Sequence, residues 1–468
     1  MPTVKPVRIG TEQPAFPAVF DIKRRVVLQN TSLGKNKNKF YGIEEHHADG
    51  RYRVYSHWGR TDHLESKGPS AGRHDGRYVS SASAASVLYD QMVKEKLKKK
   101  YVEVDAAASD IGSPQARGTS AGKVDEKTLS KAPAAPAVHK VKPLDIEPEV
   151  AELTKALYAA STGALTKDTA VSITAKGLKL PGGTVLSIGQ IEKAEACLAS
   201  IHQVVLKEAG GPKDLEDLSN HFYSLVPHRL GRTTEDLKQA IIDSLLKVSA
   251  KGETLQLMKD MLIVDSSGAG AVLFDDDLSK KFAALDCEIR VGKQFEDTEP
   301  RVLVTSSCIK RMVKVKTVFV VERPGEEAAF RKDIGNVQVL FHGSRSRNWV
   351  GILARGIMMP KLVLAAGGSR TDGGWLGNGI YFGDAACTSY YYTSVHNGHR
   401  YIAICDVAMG KVCKTKKRHH GIDSAPKGFD SYHGLRSTHG NHSQFADNEM
   451  VVYDEAQQRL RFLLKVEA

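Results

Sequence analysis

Residues 104–143 hold no aromatic side chain and few large apolar ones, and consist mostly of Ala, Ser, Pro, Gly and Lys. Such a stretch lacks the apolar surface to bury and reads as a flexible linker. It stops the chain from forming one continuous core. With 468 residues in all, about three domains are expected, one before the linker and two after it.

The hydrophobic period supports that division. Residues 1–17 show no period and read as a loose tail. Residues 18–103 alternate in short runs such as Arg25-Val26-Val27-Leu28 and Tyr52-Arg53-Val54-Tyr55, with Asp49-Gly50 as a hairpin turn. Ser81–Lys99 changes to a helical spacing through Ala85, Leu88 and Met92. Between 145 and 265 the spacing is helical. Val150, Leu153 and Leu157 share a face, Ile188 to Val205 mark a longer helix, and Thr233 with Asp236 forms a capping box. From about 270 strands return, at 313–321, 400–407, 450–453 and 461–466.

Charge adds a partner class. Residues 1–100 hold 19 Lys and Arg against 10 Asp and Glu, three quarters of the chain's net +12. A localised basic excess suits a polyanion, whose neutralised phosphates release counterions, although a basic surface also serves solubility. No apolar run is long enough to span a membrane, so no membrane partner is expected. The start lacks an apolar leader core, so no secretory signal is expected. The six cysteines form no CxxC pair, which fits reduced thiols. Cys413 with His419 and His420 is a weak zinc pattern lacking partners, so no metal is expected.

The chemistry-bearing residues cluster in the last third. Leu340-Phe341-His342-Gly343-Ser344 precedes Gly377-Asn378-Gly379-Ile380-Tyr381-Phe382, then Ser389-Tyr390-Tyr391-Tyr392, then Asn448-Glu449-Met450-Val451-Val452-Tyr453. One His, one Tyr and one Glu thus sit on three apolar, strand-like segments. Taken singly each has a bland reading: a structural His before Gly, core aromatics, a strand-edge Glu. A carboxylate opening a buried strand is costly unless bonded, which favours a role for Glu449. Upstream lies Trp58-Gly59-Arg60.

In combination these segments resemble the DNA-dependent poly(ADP-ribose) polymerases, over nearly everything after residue 18 apart from the linker. The resemblance implies an α+β multidomain chain. Residues 18–103 would be a small β-rich WGR domain, 104–144 a linker, and 145–268 an all-α helical regulatory domain. Residues 269–468 would be an α+β ADP-ribosyltransferase domain with a split antiparallel β-sheet core. The stretch from Asp217 to His228 is the most specific part of the helical segment.

Transfer of ADP-ribose breaks the bond between a ribose C1′ and the nicotinamide nitrogen, and cationic character develops at C1′. The protein must hold the ring, orient the ribose and set a carboxylate near the cation and the incoming nucleophile. The resemblance implies a catalytic triad of His342, Tyr381 and Glu449 acting on NAD+. Gly343 and Ser389 would bond the nicotinamide amide, and Tyr381 and Tyr392 would flank the ring. His342, assisted by Ser344, would bond the adenosine-end ribose, and Glu449 the nicotinamide-ribose 2′-hydroxyl. Trp58 and Arg60 would contact DNA ends or nicks, Trp58 otherwise being a core residue and Arg60 a solvated charge. The helical segment would block NAD+ entry until DNA binds. Acceptors would be proteins, including the chain itself, and the location nuclear, or cytoplasmic in a cell without a nucleus.

The chain departs from the family in places. Thr388 stands where Lys often precedes the pocket serine, and the stretch between Val407 and Glu449 is short. The loop from Leu362 to Trp375 is expected to line the adenosine side. The expected activity is DNA-break-stimulated polymer synthesis. A mono-ADP-ribosyltransferase, an inactive DNA-end scaffold and an NAD glycohydrolase stay open beside it.

Overall fold

The computed structural model describes residues 4–8, 14, 16–17, 20–61, 72–104, 146–174, 177–180, 186–207, 211–231, 233–266, 277–308, 312–359, 374–419 and 422–468. The linker and nearly all of the 362–375 loop lie outside these residues. By internal contacts the chain divides into two units, Met1–Val138 with Leu165–Leu262, and His139–Ala164 with Ile263–Ala468. The helix Pro148–Asp168 is divided between them at residue 164.

In the first unit, alternation and a tight turn build a six-stranded sheet. Strands β1 (Val7–Arg8), β2 (Asp21–Ser32), β3 (Lys37–Ala48), β4 (Arg51–Arg60), β5 (Arg73–Val79) and β6 (Val102–Val104) lie in the order β1-β5-β4-β3-β2-β6. Asp49 and Gly50 join β3 to β4 with φ of 48° and 72°. Two successive positive φ values are those of a type I′ hairpin turn, whose twist matches the strands. The helix Ala82–Lys98 starts where the Ser81 hydroxyl accepts from the Ala84 N–H at 3.1 Å. It buries Ala85, Tyr89 and Met92 against Val26, Leu28, Tyr41, Ile43 and Val54. Glu44 inside the sheet pairs with Arg25 at 3.4 Å and accepts a hydrogen bond from His46 Nε2 at 2.8 Å.

The rest of this unit is helical, with Ile188–Lys207, Pro212–Leu225, Thr234–Gln239 and Leu245–Ser266. The Thr233–Asp236 capping box forms with both bonds at 3.0 Å. Ile191, Ala194, Leu198 and Ile201 are buried, as their spacing implies. A short hairpin, β7 (Ser172–Thr174) with β8 (Gly177–Lys179), interrupts the helices.

The second unit holds β9 (Glu288–Val291), β10 (Val315–Glu322), β11 (Val337–Gly343), β12 (Ile380–Gly383), β13 (His399–Ala408), β14 (Val412–Thr415), β15 (Ser431–Gly434), β16 (Glu449–Val452) and β17 (Gln458–Glu467). They form one sheet ordered β14-β15-β16-β12-β11-β13-β17-β10-β9, antiparallel except for the β14–β15 pair. β13 is buried along nearly its whole length. Its near-continuous apolar run is what a central strand covered on both faces requires. The two halves of the sheet meet at β11 and β12 through a single registered pair, Phe341 with Gly383. β11 instead runs along β13 from Val337 to Gly343. That narrow seam is the split in the sheet. No helix among the described residues is long and apolar enough to cross a membrane.

Candidate active site

The strands that carry His342, Tyr381 and Glu449 are neighbours at the seam. Phe341 pairs with Gly383, and Gly383 with Glu449, so β11, β12 and β16 are in register at this level. Strand spacing of about 4.8 Å puts Glu449 two strands, roughly 10 Å, from β11. His342 bridges the seam: its Nδ1–H donates to the Tyr381 carbonyl at 2.9 Å. A carbonyl can only accept, so this bond sets the proton on Nδ1 and makes Nε2 the acceptor of the neutral ring.

Gly343 and Ser389 touch. A Cβ on Gly343 would lie 1.9 Å from the Ser389 carbonyl oxygen, so only glycine fits here. Ser389 is buried in the short helix Ala386–Tyr390. The next turn carries Tyr392, whose N–H donates to the Ser389 carbonyl at 3.1 Å and whose side chain is 45 % exposed. Ser344 accepts from Asn348 Nδ2 at 3.1 Å.

Tyr381 is held by its own turn. Its hydroxyl accepts from the Leu376 N–H at 2.9 Å and donates to the Gly377 carbonyl at 2.7 Å. Gly377 has φ of +77°, and a Cβ there would meet the Ile422 carbonyl oxygen at 2.0 Å. Leu376, Tyr432, Phe445 and Val451 form the apolar cluster under Tyr381 and Tyr453. Glu449 is 9 % exposed at the head of β16. It lies opposite Gly383 on one side and Gly434 on the other.

Sequence reasoning passed over two residues at this strand end, Asp384 and Arg436, while His433 lies in the stretch 431–435, expected to border the acceptor side. The signal for Asp384 was present, a charge directly after the apolar strand Ile380–Gly383. Burial holds the His433 imidazole below the ordinary histidine range, and its hydrogen bond to Asn448 only partly opposes that. Thr388 is buried at the departure from the family pattern. Cys413 packs against the apolar cluster, and His419 stacks on Tyr432 with ring centroids 5.6 Å apart. His420 lies outside the described residues.

Trp58 and Arg60 lie in the first unit on β4. Trp58 is partly buried against the helix-covered core and stacks on Tyr41, with centroids 5.5 Å apart and planes at 20°. Lys96 Nζ sits 3.4 Å from the Tyr41 ring centroid on the same stack. Register places Arg73 opposite Trp58 and Lys39 opposite Arg60. Arg60 donates to the Asn36 carbonyl at 3.0 Å, in the turn between β2 and β3.

Residues 24–108 match the WGR domain, 145–274 the poly(ADP-ribose) polymerase regulatory domain, and 293–446 the poly(ADP-ribose) polymerase catalytic domain. The chain belongs to the poly(ADP-ribose) polymerase family, whose catalytic domain is the class that transfers ADP-ribose from NAD+. It is 33 % identical over 292 residues to protein mono-ADP-ribosyltransferase PARP4 of Mus musculus, covering 60 % of this chain and 14 % of that protein. Poly [ADP-ribose] polymerase 2-A of Oryza sativa subsp. japonica is 27 % identical over 94 % of this chain and 69 % of its own length. Protein mono-ADP-ribosyltransferase PARP3 of Mus musculus is 23 % identical, over 94 % and 87 % respectively. The chain therefore spans only a small part of the PARP4 relatives, 14 % of the mouse protein and 16 % of the human one.

Proposed function

We propose that this chain is a DNA-break-stimulated ADP-ribosyltransferase that builds poly(ADP-ribose) from NAD+ on protein acceptors, itself included, and works in the nucleus. The observation that carries the reading is the seam, where Gly343 lies against Ser389 and Glu449 is in register with the residue beside His342. The Gly343 backbone and the Ser389 hydroxyl would take the nicotinamide amide, with Tyr392 and Tyr381 flanking the ring. His342 Nε2 would take a ribose hydroxyl of the adenosine, with Ser344 beside it. Glu449 would bond the nicotinamide-ribose 2′-hydroxyl and stabilise the cation as nicotinamide leaves neutral. We assign these roles to residues 269–468, the DNA contacts to residues 18–103, and the regulatory role to 145–268.

Contacts within the first unit support a coupling of DNA binding to the helices. The β2–β3 turn that Arg60 grips also donates from the Leu33 N–H to Asn220 Oδ1 at 2.7 Å and from the Gly34 N–H to Glu216 Oε1 at 3.0 Å. DNA seated at Trp58 and Arg60 would therefore act on the helix Pro212–Leu225. Such coupling requires that DNA favour one of two states.

The test is purified protein with labelled NAD+, with and without nicked or blunt-ended DNA. The reading expects a ladder of labelled protein that DNA stimulates. The relatives' names divide between polymerases and mono-transferases, and a single labelled band would decide for mono-transfer. Free ADP-ribose without labelled protein would make the chain a glycohydrolase. Bound DNA without any turnover would make it a scaffold.

A further inference from the structure

Glu449 is the first residue of its strand, and the residue before it is held on both sides of its amide. Asn448 Nδ2 donates to Asp384 Oδ2 at 2.7 Å, and Asn448 Oδ1 accepts from the Arg436 N–H at 2.8 Å. Asp384 is therefore shared: its other oxygen accepts from Arg436 Nη2 at 3.0 Å. The Arg436 guanidinium also lies 3.4 Å from Asp447. Asp384 directly follows β12 and Arg436 follows β15, the two strands that flank β16. The three residues thus tie together three strand ends at the level where Glu449 sits between Gly383 and Gly434.

A closed ring of this kind has a consequence for chemistry. A β-carbon at Gly434 would run into the Phe445 ring at 2.8 Å. The Asn448 amide, bonded at both ends, fixes the backbone at 448, from which Glu449 enters its strand. All three side chains are partly shielded, which strengthens the bonds relative to open water.

We propose that Asp384, Arg436 and Asn448 form a positioning clamp that aims the Glu449 carboxylate at the reacting ribose. The proposal rests on the role assigned to Glu449 above. The clamp touches no reacting atom. It acts on turnover through Glu449 and leaves the Gly343–Ser389 side of the site alone. A misplacement near 1 Å can cost about 100-fold in rate.

The experiment measures nicotinamide release from NAD+ by the full chain, with kcat and KM determined separately. Asp384→Asn leaves one donor facing a donor, at Asn448 or at Arg436 according to the amide's flip, and Asn448→Asp sets two carboxylates face to face across the 2.7 Å contact. Each is expected to lower kcat roughly 10- to 100-fold, with KM within about twofold. The double variant Asp384→Asn with Asn448→Asp exchanges donor and acceptor and restores the pair, so it is expected to regain most of the lost kcat. Adding Glu449→Gln to either single variant is expected to cost no more than Glu449→Gln alone. Wild-type kcat in the single variants would overturn the clamp. So would a double variant no better than its parents, or a loss in kcat matched by loss in KM and in Tm, which marks a mere brace. If Glu449→Gln itself turned over normally, the fault would lie with the assigned role of Glu449.

Discussion

The two larger sheets among the described residues are both largely antiparallel, yet they place their polar groups differently. In the first unit the sheet carries buried carboxylates paired with arginines, Glu44 with Arg25 and Glu45 with Arg24. Its aromatic residue of interest, Trp58, is stacked on Tyr41 and half sunk in the core. In the second unit the central strand is apolar over Tyr401–Cys405, its one buried charge, Asp406, pairs with Arg459 and Arg461, and the candidate site residues lie around the seam between β11 and β12. There the residues are small, Gly343, Gly383 and Ser389, so backbone rather than side chain lines the opening. A closed, paired surface with a basic rim suits a large anion met from outside. Closely packed small residues near one buried carboxylate suit recognition of a small molecule by backbone.

If that contrast holds, substitutions in the two places separate cleanly. The largest effect is expected from Glu449→Gln, which should lower the rate of nicotinamide release about 10²–10³-fold without changing the affinity for nicked DNA. Rates from a continuous nicotinamide assay and affinities from fluorescence anisotropy would check both halves. Next come two aromatic substitutions, each worth about 1–3 kcal/mol where a ring stacks on a base or ring. Tyr392→Ala should raise KM for NAD+ and leave DNA affinity alone. Trp58→Ala should weaken DNA binding and leave KM alone. Either effect crossing to the other measurement would break the comparison.

A smaller effect concerns pH. Burial lowers the Lys96 ammonium from its ordinary 10.5 to about 8, and Lys99 and Arg77 add to the shift. The folded state disfavours the charged form, so this group opposes folding while protonated. That opposition fades as pH rises through 8 and is gone above about 10.5. First-unit stability should therefore gain from this group over that window, while the positive charge facing a polyanion is lost. DNA affinity is expected to fall between pH 7 and 9, with the salt slope shrinking by about one charge. A binding curve flat across that range would remove Lys96 from the interface.

Much of the fold could be read in the residues. Period changes near 81, 145 and 270 marked the helices and strands because each element buries one face. Asp49-Gly50 and the Thr233–Asp236 box announced a turn and a helix start through local chemistry alone. The resemblance implied a split sheet, but where the split falls was not legible, because strand order depends on contacts distant in sequence. β12 and β16 are separated by about 65 residues in the chain yet register side by side, Tyr381 with Val451. The clamp was hidden for the same reason: Asp384, Arg436 and Asn448 share no motif, and only the sheet order brings them together. Trp58 was legible as important, but its stacking on Tyr41 depends on a register that the sequence leaves open.

The most direct measurement takes wild type, Glu449→Gln and Trp58→Ala side by side, and records nicotinamide release with and without nicked DNA. The account expects strong DNA stimulation in the wild type. It expects almost no turnover in Glu449→Gln at any DNA concentration, and in Trp58→Ala a loss of the DNA-dependent increment that more DNA partly restores. Stimulated turnover surviving in Glu449→Gln, or a Trp58→Ala response identical to wild type, would contradict it.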